Sequence, residues 1–140
     1  MLLFEIAGVY KQRAPIINKM TGRKEAISIK FINLVSQHVN VERSLSYYAN
    51  RLSVSSNYLT KITKATFQQS AGSYIDAVVI ERSKVLLSHS GSPIGLIASE
   101  LNFSDQFIFS KFFKKRVGLT PTRYREIKSK QNLLETINEQ

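Results

Sequence analysis

Two stretches of the chain repeat one another, and this repeat constrains the fold more than any other feature. Residues 45–55 read LSYYANRLSVS and residues 94–104 read IGLIASELNFS. In register, Ala49 falls on Ala98, Leu52 on Leu101, Val54 on Phe103 and Ser55 on Ser104. With one extra residue in the second copy, Leu59 falls on Phe109, Lys61 on Lys111, Ile62 on Phe112, Lys64 on Lys114 and Tyr74 on Tyr124. A chain that repeats itself in this way builds one supersecondary unit twice. The unit spells helix, tight turn, helix. Ala49 and Ala98 are small where a partner helix crosses closely. Ser53 or Asn102 stands at the bend, and Asn tolerates left-handed backbone better than most residues. Val54 or Phe103 plugs the gap between the helices. Ser55 or Ser104 then caps the second helix.

The rest of the chain reads as helix too. Residues 1–11 read as a short apolar helix with Leu2, Leu3, Ile6 and Tyr10 roughly on one face. Residues 13–24, with Pro15, Gly22 and four basic residues, read as an exposed linker. Ile27, Phe31, Leu34, Val35 and His38 recur at spacings of three and four, which marks an amphipathic helix over 25–39. Ser44 caps a helix through Leu52, and a second helix follows from Ser56 to Phe67. A long helix over 71–88 carries Tyr74, Ile75, Val78, Ile80, Val85, Leu86 and Leu87 on its apolar faces. Gly91, Ser92 and Pro93 break it, with Ser92 expected as N-cap and Pro93 at the first helical position. Short helices run to Leu101 and from Asp105 to Val117, and Thr120 with Pro121 opens a last helix toward Lys130. No alternating strand pattern of useful length occurs. The expected fold is all-α: two helix-turn-helix subdomains joined by a long linker helix. The expected division is 1–24, an N-terminal helix remnant and linker; 25–130, the tandem domain (25–70, 71–90 and 91–130 for first unit, linker helix and second unit); and 131–140, a tail.

Charge narrows the function. The chain of 140 residues carries a formal net charge of +10, with a pI near 10.0. A surplus of that size points to a polyanionic partner. There is no cysteine, which removes disulfides and thiolate metal sites. No stretch approaches the ~18–20 apolar residues that span a bilayer, and the apolar start lacks a basic leader and cleavage site. His38 and His89 stand far apart without an acidic cluster, so no metal is expected. Phosphate-loop and nucleophile-elbow signatures are missing. Asp76, Glu81, Glu100 and Asp105 sit at surface-like positions, so neither an enzyme nor a cofactor is expected.

The second copy holds Ile94-x-x-Ile97-Ala98, then Asn102-Phe103-Ser104-Asp105-Gln106, Phe109, Phe113-Lys114-Lys115, Gly118-x-Thr120-Pro121 and Tyr124-Arg125. The first holds Tyr48-Ala49, Leu52, Ser55, Tyr58-Leu59 and Tyr74-Ile75. Over residues 31–125 the chain resembles the DNA-binding domain of AraC/XylS-type transcriptional regulators. It departs from that pattern at Asn102 and Gln68, where the family usually has Gly, and at Phe107, where a small polar residue is common. Thr63 stands where an aromatic is frequent, and Val79 where an Arg is common. Family members often carry an N-terminal sensing and dimerising domain. The resemblance therefore implies a missing sensor domain or a homodimer.

The resemblance and the outward faces together give expected contacts with double-stranded DNA. In the first recognition helix, Leu59, Ile62 and Thr63 face inward, and Ser56, Asn57, Thr60 and Lys61 face bases. Asn pairs with adenine and Lys with guanine O6/N7; helix capping is the competing role for Ser56 and Asn57. In the second, Phe109, Phe112 and Phe113 are core, Ile108 packs, and Gln106, Phe107, Ser110 and Lys111 face the groove. Phe107 either rests on a thymine methyl or packs against the neighbouring helix. Arg51, Lys64, Lys114, Lys115 and Arg123 are expected phosphate contacts, which set register rather than sequence. The N-terminus at Thr120-Pro121 suits a phosphate as well. Arg125 and Tyr124 instead hold the last helix to the core. The implied protein is a cytoplasmic transcription regulator, an activator, that touches RNA polymerase and no membrane. It reads two adjacent major-groove segments about one turn (~34 Å) apart. The alternative is a helical protein-interaction module with weak DNA binding.

Overall fold

The computed structural model describes residues 22–139. The expected helix over 1–11 and most of the expected linker lie outside the described residues. Among the described residues all regular structure is helical: α1 (Arg23–His38), α2 (Leu45–Arg51), α3 (Ser56–Phe67), α4 (Ala71–His89), α5 (Ile94–Glu100), α6 (Gln106–Val117) and α7 (Pro121–Asn138). The expected all-α fold is what is found. The described residues fall into two compact units that divide between Val79 and Ile80, inside α4.

In the first unit, α1 starts at Arg23, so Arg23 and Lys24 belong to a helix rather than to the linker. Its inward face is Ile27, Ser28, Phe31 and Val35, the three-and-four spacing of the sequence. Phe31 is the hub: its ring centroid lies 5.8 Å from those of both Tyr48 and Tyr74. The buried Tyr48 hydroxyl donates to the Glu42 carbonyl, which avoids an unpaired polar group in the core. Thr63 is buried, as expected. Its hydroxyl donates back to the Leu59 carbonyl at 2.8 Å, so a polar side chain is satisfied inside its own helix.

The second unit is built on a run of rings. Phe103 meets Phe109 at 5.2 Å, Phe109 meets Phe113 at 6.0 Å, and Phe113 meets Tyr124 at 5.5 Å between centroids. Tilted and edge-on pairs at these separations add to area burial. Arg125 reaches back from α7, donating from Nε to the Leu87 carbonyl at 3.1 Å and from a terminal nitrogen to the Ser90 carbonyl at 3.3 Å. Arg125 thus ties α7 to the end of α4, and Tyr124 packs on the core, as their positions implied.

Several expectations need correction. Ser92 is not the cap of α5. Pro93 itself is the N-cap residue, with extended backbone (φ −57°, ψ 149°), and its carbonyl receives the Leu96 and Ile97 N–H groups. Phe112 is half-buried rather than core, and part of the cover it has comes from the Arg116 guanidinium, 4.1 Å over its ring centroid. Val85, expected on an apolar face, is exposed. The last helix continues to Asn138 instead of ending at Lys130; no Gly or Pro follows Pro121 to stop it. That extension leaves Leu133, Leu134 and Ile137 exposed.

Candidate nucleic-acid interface

The two helix-turn-helix copies match element by element. The first helices, α2 and α5, have 7 residues each, and the second helices, α3 and α6, have 12 each. At the bends Ser53 and Asn102 take left-handed backbone, with φ 57° and 61°. The next N–H closes the turn in both copies, Val54 onto the Ala49 carbonyl at 3.0 Å and Phe103 onto the Ala98 carbonyl at 2.9 Å.

The caps place the one-residue insertion. Ser55 Oγ accepts the Tyr58 N–H at 3.1 Å and caps α3. In the second copy the cap is Asp105, whose Oδ1 accepts the Ile108 N–H at 2.8 Å. Ser104 is therefore not the cap: the extra residue lengthens the turn, and Asp105 arrives where Ser55 stands in the first copy. The sequence signal was an Asp just ahead of the apolar run, a strong N-cap type. From there the stations pair without further shift: Ser56 with Gln106, Asn57 with Phe107, Thr60 with Ser110, Lys61 with Lys111 and Lys64 with Lys114.

Each second helix has one buried and one exposed side. On α3 the side chains of Leu59, Ile62 and Thr63 are buried, whereas Asn57, Lys61 and Lys64 are exposed and Ser56 and Thr60 are half-buried. On α6 Phe109 and Phe113 are buried, whereas Gln106, Phe107, Lys111, Lys114 and Lys115 are exposed and Ser110 is half-buried. Ile108, expected to pack, is 49% exposed. Phe107 is 83% exposed, so it does not pack against the neighbouring helix.

Three further placements bear on the interface. Arg51 donates to the Tyr47 hydroxyl at 3.0 Å and lies 5.8 Å from that ring's centroid, which orients its guanidinium at the surface. It shares a shallow hollow with Arg23 and Lys30, two cations that the repeat did not single out because they lie ahead of it. Arg123 sits in the first turn of α7, its N–H capped by Thr120 at 3.2 Å and its side chain 3.3 Å from Glu126, both exposed. Gly95 was also missed. A Cβ there would come within 3.1 Å of the Gln106 side-chain oxygen, so the glycine leaves room for that amide against α5. Among the described residues no group of three His, Asp or Glu side chains could hold a metal ion, and no helix is long and apolar enough to cross a membrane.

Paired helix-turn-helix units, each with an outward basic helix, are the architecture of a DNA-binding domain. A helix-turn-helix domain family matches residues 48–127. The chain is 31% identical over 132 residues to the Msm operon regulatory protein of Streptococcus mutans, covering 89% of this chain and 48% of that protein. It is 29% identical over 118 residues to the HTH-type transcriptional regulator YtdP of Bacillus subtilis, covering 81% of this chain and 15% of that protein. The chain thus spans about half, or less, of the length of these curated relatives. Among solved structures, the C-terminal domain of AraT, a response regulator from Geobacillus stearothermophilus, superposes with a TM-score of 0.67 at 27% identity, over 72% of this chain and 84% of that one. The chain belongs to the AraC-type helix-turn-helix family of DNA-binding transcription regulators. That family and fold are those of sequence-specific DNA-binding regulators rather than of enzymes.

Proposed function

We propose that α3 and α6 are the reading helices of a transcriptional activator, entering adjacent major-groove segments of double-stranded DNA. One observation carries the reading: two helices of equal length, with matched caps, present lysines outward at the same stations, Lys61 with Lys111 and Lys64 with Lys114. Ser56, Asn57, Thr60 and Lys61 meet bases from the first helix, and Gln106, Phe107, Ser110 and Lys111 from the second. Asn57 and Gln106 suit adenine N6/N7, and the lysines suit guanine O6/N7. Arg51, Lys64, Lys114, Lys115 and Arg123 hold phosphates and set the register. The hollow shared by Arg51, Arg23 and Lys30 supports the phosphate role.

Regulation then follows from contact with RNA polymerase in the cytoplasm. The greater length of the relatives supports a further sensing or dimerising region in the whole regulator. The test is selection of the purified chain against a random duplex library at near-physiological salt. Enrichment of one motif with two blocks about a helical turn apart is the expected result. Salt-sensitive binding without an enriched motif would reduce the role to phosphate contact. Binding that barely responds to salt would favour a protein-docking module instead.

A further inference from the structure

Phe107 is out of place for a folded chain in water. It is 83% exposed on α6, while the inward face of that helix is already filled by Phe109 and Phe113, both 0% exposed. Ile108, the next residue, is 49% exposed. Three, four and seven residues on, the same side of the helix carries Ser110, Lys111 and Lys114. The result is an apolar tip backed by cations. At the matching station of α3 stands Asn57, an exposed amide. Two helices with the same outward lysines therefore differ in chemistry at their second residue.

An apolar tip with lysines behind it suits a polyanion that itself carries apolar groups. In the major groove that group is the C5-methyl of thymine, which no other standard base displays. An amide at this station reads by hydrogen bonds; a phenyl ring has none to offer and reads by contact with a methyl. We propose that Phe107 makes the second unit select a 5-methylpyrimidine, thymine or 5-methylcytosine, at the base that faces it. The inference rests on the reading of α6 as a groove-entering helix. Methylation of cytosine at that position then becomes something this chain senses.

The experiment starts from the duplex that the full chain enriches from a random library. Each thymine in turn is replaced by deoxyuridine, which removes the methyl and leaves every hydrogen-bonding group in place. Affinity is read by fluorescence anisotropy. At one thymine, loss of the methyl is expected to weaken binding about 3- to 5-fold, the worth of one buried methyl. A 5-methylcytosine there is expected to bind tighter than cytosine by a similar factor. Phe107→Ser should bind the thymine and uridine duplexes equally, and Phe107→Leu should keep part of the discrimination. Both variants should melt like the parent. An enriched duplex bound equally well with uridine at every position overturns the inference alone. So does an enriched motif without thymine or a Phe107→Ser variant that keeps the full penalty. Absence of any enriched duplex overturns the groove-reading role of α6 and this inference with it.

Discussion

Gln68 and Gly118 close α3 and α6 in the same way, one with a side chain and one without. Both take left-handed backbone, φ 59° and φ 88°, and each N–H donates at 2.8 Å to the carbonyl four residues back, Lys64 and Lys114. Glycine adopts this conformation freely, whereas a Cβ costs on the order of 1 kcal/mol there. Gln68→Gly is therefore expected to stabilise the first unit by about 1 kcal/mol, and Gly118→Ala to destabilise the second by about as much. A Cβ at Gly118 meets nothing within 4 Å, so the whole cost lies in the backbone. Urea unfolding of the two variants checks both signs.

The cap of α6 separates two neighbouring residues. Asp105→Ala removes the acceptor for the Ile108 N–H and should cost about 1 kcal/mol. Ser104→Ala, one residue earlier, should stay within about 0.5 kcal/mol of the parent. Equal losses in thermal unfolding would show that the cap is shared.

Arg125 satisfies two carbonyls at the end of α4. Arg125→Met keeps much of the stem but leaves those part-buried oxygens without their donor. A loss of about 2 kcal/mol is expected. Amide hydrogen exchange should speed up in α7 and around Ser90, while the core of the first unit keeps its protection.

The lysine stations of α6 should separate reading from holding. Lys111→Ala is expected to weaken binding to a selected duplex and to relax preference at one base pair, worth about 1–3 kcal/mol of discrimination. Lys114→Ala and Lys115→Ala should weaken all duplexes alike and lower the slope of log affinity against log salt by about 1 each. A titration series at several salt concentrations, repeated on a mismatched duplex, reads both effects. If Lys111→Ala changes neither affinity nor preference, α6 is not the reader.

Burial pushes the Tyr74 phenol above its ordinary value of 10.0. The folded state thus favours the protonated ring more than the unfolded state does. That contribution is intact below the unfolded value and is lost as pH rises through 10.0 and beyond. Alkaline unfolding should set in at higher pH in Tyr74→Phe than in the parent, provided the ring still packs on Phe31. Circular dichroism along a pH titration reads the shift.

Much of this fold is written locally. The repeat located both helix-turn-helix copies, and the residues that must bend, Ser53 and Asn102, have the positive φ that a tight turn requires. Spacing marked Ile27, Phe31 and Val35 on the inward face of α1, because one helical period decides which side chains can share a core, but it did not mark the buried Ser28. What sequence could not resolve lay where two residues compete for one role. Ser104 and Asp105 can each cap, and only the path of the lengthened turn chooses between them. Ile108 was expected to pack, and Phe107 either to pack or to face a base; both are exposed, and neighbouring residues at a helix start offer no spacing that decides this. The tail beyond Lys130 was misread because a helix without a stop signal ends where packing and fraying decide, not at a marked residue. The outward stations of α3 and α6 were legible as a pattern, but the room that Gly95 leaves for Gln106 appears only when α5 and α6 are laid together.

The matched caps and turns have a consequence for how such a chain changes over generations. The side chains that pack α3 and α6 lie on their inner faces and those that cap them stand just ahead of their first residues, whereas Asn57, Lys61, Phe107 and Lys111 are exposed. Mutations can accumulate at these outer stations without refolding the domain. In a scaffold repeated in this way, one half can change its outer face while the other keeps its own.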